Sequence, residues 1–441
     1  MSHQQFSEPP RSGATLSRRR LLHLSLATAA AVPFGLATAR PAVAGNPPDP
    51  DEAYRTAMRD TIAKNARVLM YAETGREFLY RPRQILVADK DVQRVAQQLT
   101  AMGLRFDLAN RFAGVVKVVF ATDVDVPALV KTLRDPAKWP RQDPPIVQPH
   151  HVTVGHIDNI MGNPDGAPAA AASPGWPPPV SAADGAGVLI GVCDTGICAD
   201  ATTMHPLWLG GSYVPEAQDE DPLYLTGDEL ALEAGHGTFV AGVLRRSAPG
   251  VRFDPAVALD DSGLGDEESL VTAIGRLDPG VSIINLSLGY FTQDDSVPEP
   301  VKNTVTQLGK DVVVVASAGN SAGSRMSWPA ALPEVLAVAA VTKDPKSGQL
   351  AATTYTNFGS WVGACAEGER VSTYVKGQMQ LSTGPIPFVG YARWRGTSFA
   401  APHVAGRLAA VMTKYGYTAA QARAYLESLA RWHPDYGVFV A

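Results

Sequence analysis

The sequence is poor in cysteine and in charge, and each shortage excludes a class of protein. Three cysteines in 441 residues are too few for a scaffold held together by disulfides. Lys and Arg number 38 against 43 Asp and Glu, without a block of like charge, so nothing favours binding to nucleic acid. No apolar run of bilayer length follows residue 44. The 45% of hydrophobic residues still fills one large and one small globular domain, which predicts a soluble chain.

Residues 1–44 are predicted to be an export signal. The basic cluster SRRR at residues 17–20 precedes a mostly apolar stretch over 21–39, and Ala42-Val43-Ala44 has the small-x-small pattern of a cleavage site. The cluster also resembles the twin-arginine signal of bacteria. A membrane-anchoring helix is the alternative, and the proline and glycine inside the stretch disfavour it. We therefore expect a protein secreted by a bacterium, with no membrane anchor once the signal is removed.

A small α+β region is predicted within residues 45–160. A strand over 85–88 precedes a stretch with apolar residues at helical spacing, and a second strand over 115–120 precedes a helix capped by Asp125. Residues 161–187 are rich in Pro, Ala and Gly, which is typical of a linker. The domain boundary is therefore predicted there, with the second domain over 188–441.

The second domain alternates strands with helices. Near-continuous apolar runs lie at 188–193, 283–286, 312–315 and 335–338, as expected of strands buried on both faces of a parallel sheet. Stretches with helical spacing lie between them. This pattern predicts an α/β fold with a doubly wound, mostly parallel sheet and helices on both faces. A site is expected where loops leave the carboxyl ends of the strands.

Three segments of this domain combine a reactive side chain with glycine. Asp194 follows the first strand, His236 lies in a Gly-His-Gly-Thr stretch, and Ser398 follows Gly-Thr at the start of a predicted helix, with Pro402 in its opening turn. A serine hydroxyl is a weak nucleophile that needs a base, and the base needs a carboxylate to orient it. Histidine suits the task because its pKa lies near neutral pH. The three residues therefore predict nucleophilic catalysis.

Asn320 is the candidate for stabilising the oxyanion that such an attack creates. It follows the strand at 312–315 through Ala-Ser-Ala-Gly, so its amide is expected in the same cleft, beside the backbone N–H of Ser398. The segments around Asp194, His236, Asn320 and Ser398, in this order, resemble the subtilases, the subtilisin-like serine peptidases. The Gly-Thr-Ser-x-Ala-x-Pro stretch at Ser398 is a specific part of this resemblance.

The resemblance implies a role for each residue. Asp194 orients the base, His236 is the general base and then the acid, Ser398 is the nucleophile, and Asn320 is the oxyanion donor. It implies polypeptide substrates, and two stretches that bind them: Ser287, Leu288 and Gly289 on one wall, and Ser317, Ala318 and Gly319 on the other. The region over 45–160 is similar in layout to subtilase prodomains, which assist folding and block the cleft until removed.

No cofactor is expected. The chain passes from Leu244 through residues 245–247 directly to Ala248-Pro249-Gly250, without the asparagine-rich loop that carries a tight calcium site in many subtilisins. The sequence leaves calcium binding open but does not predict a calcium requirement, and no metal is expected to take part in the chemistry.

Several other interpretations remain open at the level of the sequence. Ser321 lies in a Gly-x-Ser-x-Gly stretch typical of esterases, but no helix is predicted after it. Asp194 and Asp261 imitate the paired motif of aspartic proteases, whose fold is different. A pseudoprotease that only binds would require a broken triad. The remaining candidates are a metal site at His150, His151 and His156, and a disulfide between Cys198 and Cys365.

Overall fold

The computed structural model describes residues 49–155 and 166–441. The predicted export signal and part of the predicted linker lie outside these residues. The N-terminal region contains α1 (Pro50–Lys64), β1 (Leu69–Tyr71), β2 (Phe78–Ala88), α2 (Val92–Ala101), β3 (Phe106–Phe112), β4 (Val115–Phe120), α3 (Val126–Leu133) and β5 (Val147–His151).

The larger region begins with one short strand of the linker, Ala169–Ala170, and continues to the last residues. Its strands are β6 (Ala169–Ala170), β7 (Leu189–Asp194), β8 (Tyr224–Thr226), β9 (Glu229–Leu230), β10 (Arg252–Val257), β11 (Ile283–Leu286), β12 (Val313–Ser317), β13 (Val335–Lys343), β14 (Leu350–Ala352), β15 (Ala364–Glu367), β16 (Glu369–Leu381), β17 (Gly384–Arg395) and β18 (Val438–Phe439). Its helices are α4 (Ala201–Met204), α5 (His236–Ser247), α6 (Glu267–Arg276), α7 (Glu299–Gln307), α8 (Thr397–Tyr415) and α9 (Ala419–Glu427).

The central sheet of the larger region has eight strands in the order β10-β7-β11-β12-β13-β15-β18, and β14 pairs with β13. Every pair along the main path is parallel. Alternate residues of β12 face different cores: Val313 and Val315 pack into one, and Val314 and Ala316 into the other. The predicted doubly wound α/β fold, with strands buried on both faces, is therefore confirmed.

Each core is closed by helices. The first contains the buried faces of α5, α8 and α9, and the second those of α6 and α7. Helix α6 begins at Glu267 because the residue before it, Asp266, caps the helix. The Asp266 side chain accepts a hydrogen bond from the Ser269 backbone, and the Ser269 side chain accepts one from Asp266 N. This reciprocal cap satisfies two backbone N–H groups that a helix leaves without partners.

The N-terminal region is an antiparallel sheet with α2 and α3 packed against it. The sheet runs β1-β2-β4-β3, and β5 also pairs with β2. The predicted cap is present, since Asp125 Oδ1 accepts a hydrogen bond from Ala128 N at the start of α3. Phe291 of the larger region packs into the core of this sheet. The described residues of the two regions accordingly form one compact unit.

A long hairpin of β16 and β17 was not predicted by the sequence patterns. It forms a second small sheet in the order β6-β17-β16-β9-β8. Strand β17 and the second half of β16 alternate buried with more exposed residues, and the buried residues of the hairpin include Tyr374, Phe388 and Trp394. Helix α1 packs against this hairpin through Tyr54 and Met58 and shares its core.

All three cysteines are free and buried. The Cys198–Cys365 disulfide that the sequence left open is not formed, and Cys198 Sγ instead donates to Asp200 Oδ1 at 2.7 Å. Within residues 49–155 and 166–441, no helix has the length and apolar character needed to cross a membrane.

Alanine substitutions at two helical glycines test how closely the helices of this fold are packed. A Cβ on Gly242 of α5 would lie 2.1 Å from Thr373 Oγ1, whereas a Cβ on Gly275 of α6 would meet nothing within 4 Å. We expect Gly242→Ala to lower the free energy of unfolding by about 1–3 kcal/mol. Gly275→Ala should raise it by up to about 1 kcal/mol. Equal effects of the two substitutions in denaturant unfolding would contradict this packing.

Candidate active site

The three predicted catalytic residues lie at the start or end of regular elements of the larger region. Asp194 is the last residue of β7, His236 is the first residue of α5, and Ser398 is in the first turn of α8. The glycine beside His236 is required by close packing, because a Cβ on Gly237 would lie 2.1 Å from Gly196 O. The loop after Asp194 can therefore pass directly against the start of α5.

Asp194 and His236 are joined by a direct hydrogen bond. The distance between His236 Nδ1 and Asp194 Oδ1 is 2.6 Å, and both side chains are at most 1% exposed. Because a carboxylate only accepts hydrogen bonds, Nδ1 carries the proton and Nε2 is the basic nitrogen of the neutral ring. Thr195 N also donates to Asp194 Oδ1 at 2.8 Å, which fixes the carboxylate.

Aromatic rings surround His236. The rings of Trp394 and Phe399 both have centroids 5.4 Å from that of His236. Trp394 ends the buried side of β17, and Phe399 follows Ser398 in α8. The imidazole is therefore held against the residue next to the predicted nucleophile and is kept from bulk water.

A second buried carboxyl group connects the loop of Asp194 to the loop of His236. Asp221 Oδ2 accepts hydrogen bonds from Thr195 Oγ1 at 2.6 Å and from Gly235 N at 2.9 Å. Thr195 Oγ1 in turn accepts one from Gly237 N. Burial raises the pKa of Asp221 to about 8. Asp221 is a positioning residue, and no sequence pattern indicates it because it lies in an irregular loop without a glycine motif.

Ser398 is buried, and its hydroxyl faces two backbone carbonyl groups. Ser398 Oγ lies 3.3 Å from Gly155 O and 3.4 Å from Ser287 O, and its single O–H group can donate to either carbonyl. Pro402 lies one turn inside α8 rather than in its opening turn, which corrects the expectation from the sequence. Proline has no N–H to donate to the carbonyl four residues earlier, and Ser287 Oγ donates to that carbonyl, Ser398 O, at 2.7 Å.

Asn320 is oriented by the residue that precedes Ser398. Its Oδ1 accepts hydrogen bonds from Thr397 N at 2.7 Å and from Thr397 Oγ1 at 2.8 Å. The amino group Nδ2, which is the donor of this amide, is therefore at the end opposite to Thr397. Thr397 also accepts from Gly319 N. Thr397 is thus a second functional residue of the Gly-Thr-Ser stretch, beside Ser398. Its position in this motif could have indicated the role.

A segment of the N-terminal region lies in the cleft as an extended peptide. Val154 N donates to Gly289 O at 3.0 Å, and Gly289 N donates to Val154 O at 2.9 Å. On the other side, Gly155 N donates to Gly263 O at 2.9 Å, and Thr153 exchanges two backbone bonds with Gly265. The segment thus completes antiparallel pairs with both walls and places Gly155 O beside Ser398 Oγ.

The six residues predicted to bind substrate form two stretches that are tied to each other and to the start of α8. Gly289 pairs with Val154, Ser287 contacts Ser398, and Leu288 lies in the second core. The facing stretch is tied to the first, because Ser317 Oγ donates to Leu288 O at 3.4 Å. The remaining two positions are anchored by their backbones: Ala318 O accepts from Ser327 Oγ, and Gly319 N donates to Thr397 Oγ1.

The residues considered for an esterase, an aspartic protease or a metal site lack the environment that each of these would need. Strand β12 is followed by β13 with no helix between them in this described stretch, so Ser321 is not on the strand-turn-helix that an esterase elbow requires. The partner of Asp194 is an imidazole rather than the second carboxylate of an aspartic protease. In the described parts of the chain, no group of three His, Cys, Asp or Glu could hold a metal ion.

The histidines considered as metal ligands have other partners. His151 is buried, with Nδ1 at 3.3 Å from Glu267 Oε1, while Gln293 N donates to its Nε2 at 3.2 Å. His150 Nδ1 lies 2.8 Å from Gln84 Oε1. His156, the third candidate, lies outside the described residues. His151 thus joins the N-terminal sheet to the larger region.

Comparison with known proteins places this geometry in a family. The model of the Subtilase family matches residues 185–437, which is more than half of the chain. The chain therefore belongs to the subtilase family, as the sequence motifs predicted. The matched residues contain all four predicted catalytic and oxyanion positions.

Relatives with known names are similar over a stretch of comparable length. A thermophilic serine proteinase of Bacillus sp. (strain AK1) is 32% identical over 253 residues, which are 55% of this chain and 56% of that protein. Subtilisin DY of Bacillus licheniformis is 30% identical over 263 residues, which are 56% of this chain and 84% of that protein. This chain thus spans little more than half of the first relative.

One solved structure shares the fold over most of the chain. The crystal structure of fervidolysin from Fervidobacterium pennivorans, described as a keratinolytic enzyme related to subtilisin, superposes with a TM-score of 0.57 at 22% identity. The match covers 84% of this chain and 61% of that one. It supports the α/β architecture described above.

The pKa of Asp221 leads to a prediction about stability. Its carboxyl group has an ordinary pKa of 3.8 and a pKa of about 8 in the folded protein. Between these values the folded state binds a proton that the unfolded state lacks, so this group makes the free energy of unfolding fall as pH rises. Asp221→Asn cannot titrate. The stability of the wild type relative to this variant should therefore decrease between about pH 4 and pH 8, measured by denaturant unfolding, and parallel pH profiles would contradict the assignment.

Proposed function

We propose that this subtilase is a serine endopeptidase that hydrolyses polypeptides through an acyl-enzyme on Ser398. The observation that carries the proposal is the peptide in the cleft. Residues 153–155 are paired on both sides, and the carbonyl oxygen of Gly155 lies 3.3 Å from Ser398 Oγ. An extended peptide is therefore bound through its backbone next to the hydroxyl group that would attack it.

The residues of the cleft account for each proton and electron pair of the reaction. As Ser398 Oγ forms a bond to the carbonyl carbon, His236 Nε2 takes the hydroxyl proton, and Asp194 stabilises the imidazolium that results. When the tetrahedral intermediate collapses, the C–N bond breaks and the leaving amine takes the proton from His236. A water molecule then attacks the ester in the same way and releases the acid.

Asn320 stabilises the negative charge that develops on the carbonyl oxygen during this reaction. The contact of its Oδ1 with Thr397 leaves Nδ2 as the donor to the oxyanion, together with the backbone N–H of Ser398. Because these donors are held in place before the reaction, they need no rearrangement as negative charge develops. In subtilisin, where this effect is well known, loss of the oxyanion asparagine lowers turnover by about 10²–10³.

We further propose that residues 45–160 act as an intramolecular prodomain. The support is that Val152 and the residues after it continue from β5 into the cleft, where they occupy the place of a substrate. Ion pairs join the two regions as well: Arg81 with Asp266 at 2.8 Å, and Lys117 with Glu268. While these contacts last, the cleft is closed to other polypeptides.

The location and the cofactor requirements of the protein belong to the same proposal. The basic cluster, apolar stretch and cleavage pattern in residues 1–44 support export from a bacterial cell. The link from α5, which ends at Ser247, to β10, which begins at Arg252, has no room for a long calcium-binding loop. We propose that catalysis requires no cofactor and that polypeptides are its substrates.

A fluorophosphonate probe tests the nucleophile. The probe forms a covalent bond with an activated serine, so it should label the wild type and fail to label Ser398→Ala, which lacks the hydroxyl that His236 would activate. Ser321→Ala is the matched control, and it should still be labelled. The labelled peptide is identified by mass spectrometry. Loss of labelling in Ser321→Ala but not in Ser398→Ala would favour an esterase and overturn the proposal.

A further inference from the structure

Glu233 is a buried carboxylate that faces the peptide in the cleft and has no part in the chemistry proposed above. It lies three residues before His236 and is fully buried. A Cβ added to Gly155 would lie 3.4 Å from Glu233 Oε2. A Cβ on Gly263, in the facing wall, would lie only 2.4 Å from Glu233 Cγ. The side chain of Glu233 therefore fills the space beside the position of residue 155.

Both apolar and polar atoms surround the position of residue 155. The same Cβ would lie 3.3 Å from Leu259 Cδ1 and 3.9 Å from Gly263 O. The polar atoms that it would face are thus a carboxylate oxygen and a carbonyl oxygen, and both only accept hydrogen bonds. Gly155 has no positive φ, so its backbone also suits residues with side chains.

The N-terminal region supplies a donor to this carboxylate. Tyr54, in α1, is fully buried, and its hydroxyl donates to Glu233 Oε1 at 2.5 Å. If α1 leaves with the proposed prodomain, this donor is lost and Glu233 remains in the wall of the cleft. Two nearby ionisable residues, Asp221 and Asp261, are also acidic: Asp221 accepts from Gly235 N, and Asp261 O accepts from Glu233 N.

We infer that Glu233 determines specificity for the substrate residue that takes the place of Gly155. The subsite excludes carboxylate side chains and favours short side chains that donate a hydrogen bond. A carboxylate there would face a like charge at short range in a site of low dielectric, whereas a hydroxyl one bond beyond Cβ can donate to Oε2. This inference rests on the peptidase function proposed above.

The inference is tested with peptides that copy residues 150–160 of the chain and differ only at position 155. Asn and Asp form the decisive pair because they have the same size and differ in charge. With enzyme matured from the full-length chain, kcat/KM should be at least about tenfold higher for the Asn peptide than for the Asp peptide. In Glu233→Gln the ratio should fall to about one, because the opposing charge is gone. Ser should also be preferred over Ala by the wild type, and this preference should be lost in Glu233→Ala, which has no acceptor at this position.

Controls separate this inference from the proposed function. The same Asn and Asp pair is placed at position 154, where Val154 packs in an apolar cluster that includes Leu264 of the larger region. The ratio at that position should be the same in both enzymes. Glu233→Ala, which removes the carboxylate without leaving a buried amide, is the second variant if Glu233→Gln does not fold.

Each outcome is decisive. Cleavage of the peptides with an Asn to Asp ratio near one in the wild type, or with an unchanged ratio in both variants, would overturn the role of Glu233 and leave the peptidase intact. Failure of the matured wild type to cleave any of the peptides or an unfolded protein substrate would overturn the proposed function itself.

Discussion

The hydrogen bond between Asp194 and His236 holds the site together. Strand β7, buried on both faces, carries Asp194 to the carboxyl edge of the sheet, and α5 begins with His236 at the same place. The two are 2.6 Å apart because glycine lets the chain of one loop touch the helix start of the other. Asp221 then ties both loops together through hydrogen bonds that involve Thr195 and Gly235. The parallel sheet is thus what gives the imidazole one orientation and one tautomer.

The cleft beside this pair is built from backbone groups more than from side chains. Two loop segments, 263–265 and 289, present N–H and C=O groups on either side of an extended peptide, and residues 153–155 satisfy them in the structure. Pairing of this kind accepts many sequences, so selectivity must come from the few side chains that face the peptide. Glu233 is such a side chain, and its present partner, Tyr54, belongs to the region that also fills the cleft.

Much of the fold could be predicted because its signals are local. Four apolar runs marked four strands of the central sheet, and Asp125 marked the start of α3. The hairpin of β16 and β17 was missed because one face is exposed and its strands carry no continuous apolar run. Asp194, His236 and Ser398 were found because glycines surround them. The pairing of Val154 with Gly289 joins residues far apart in sequence, and no local pattern encodes it.

Under the proposed function, the walls of the cleft present a bound peptide to Ser398. Cleavage of the protein's own chain tests this role directly. The full-length wild type should cleave itself shortly after Gly155, so mass spectrometry of the matured protein should find a new N terminus within residues 156–166. Ser398→Ala, prepared in the same way, should remain uncut there. A wild type that matures with residues 150–166 intact, or a Ser398→Ala protein that is still cut at that place in isolation, would contradict the role of Ser398 and of the cleft.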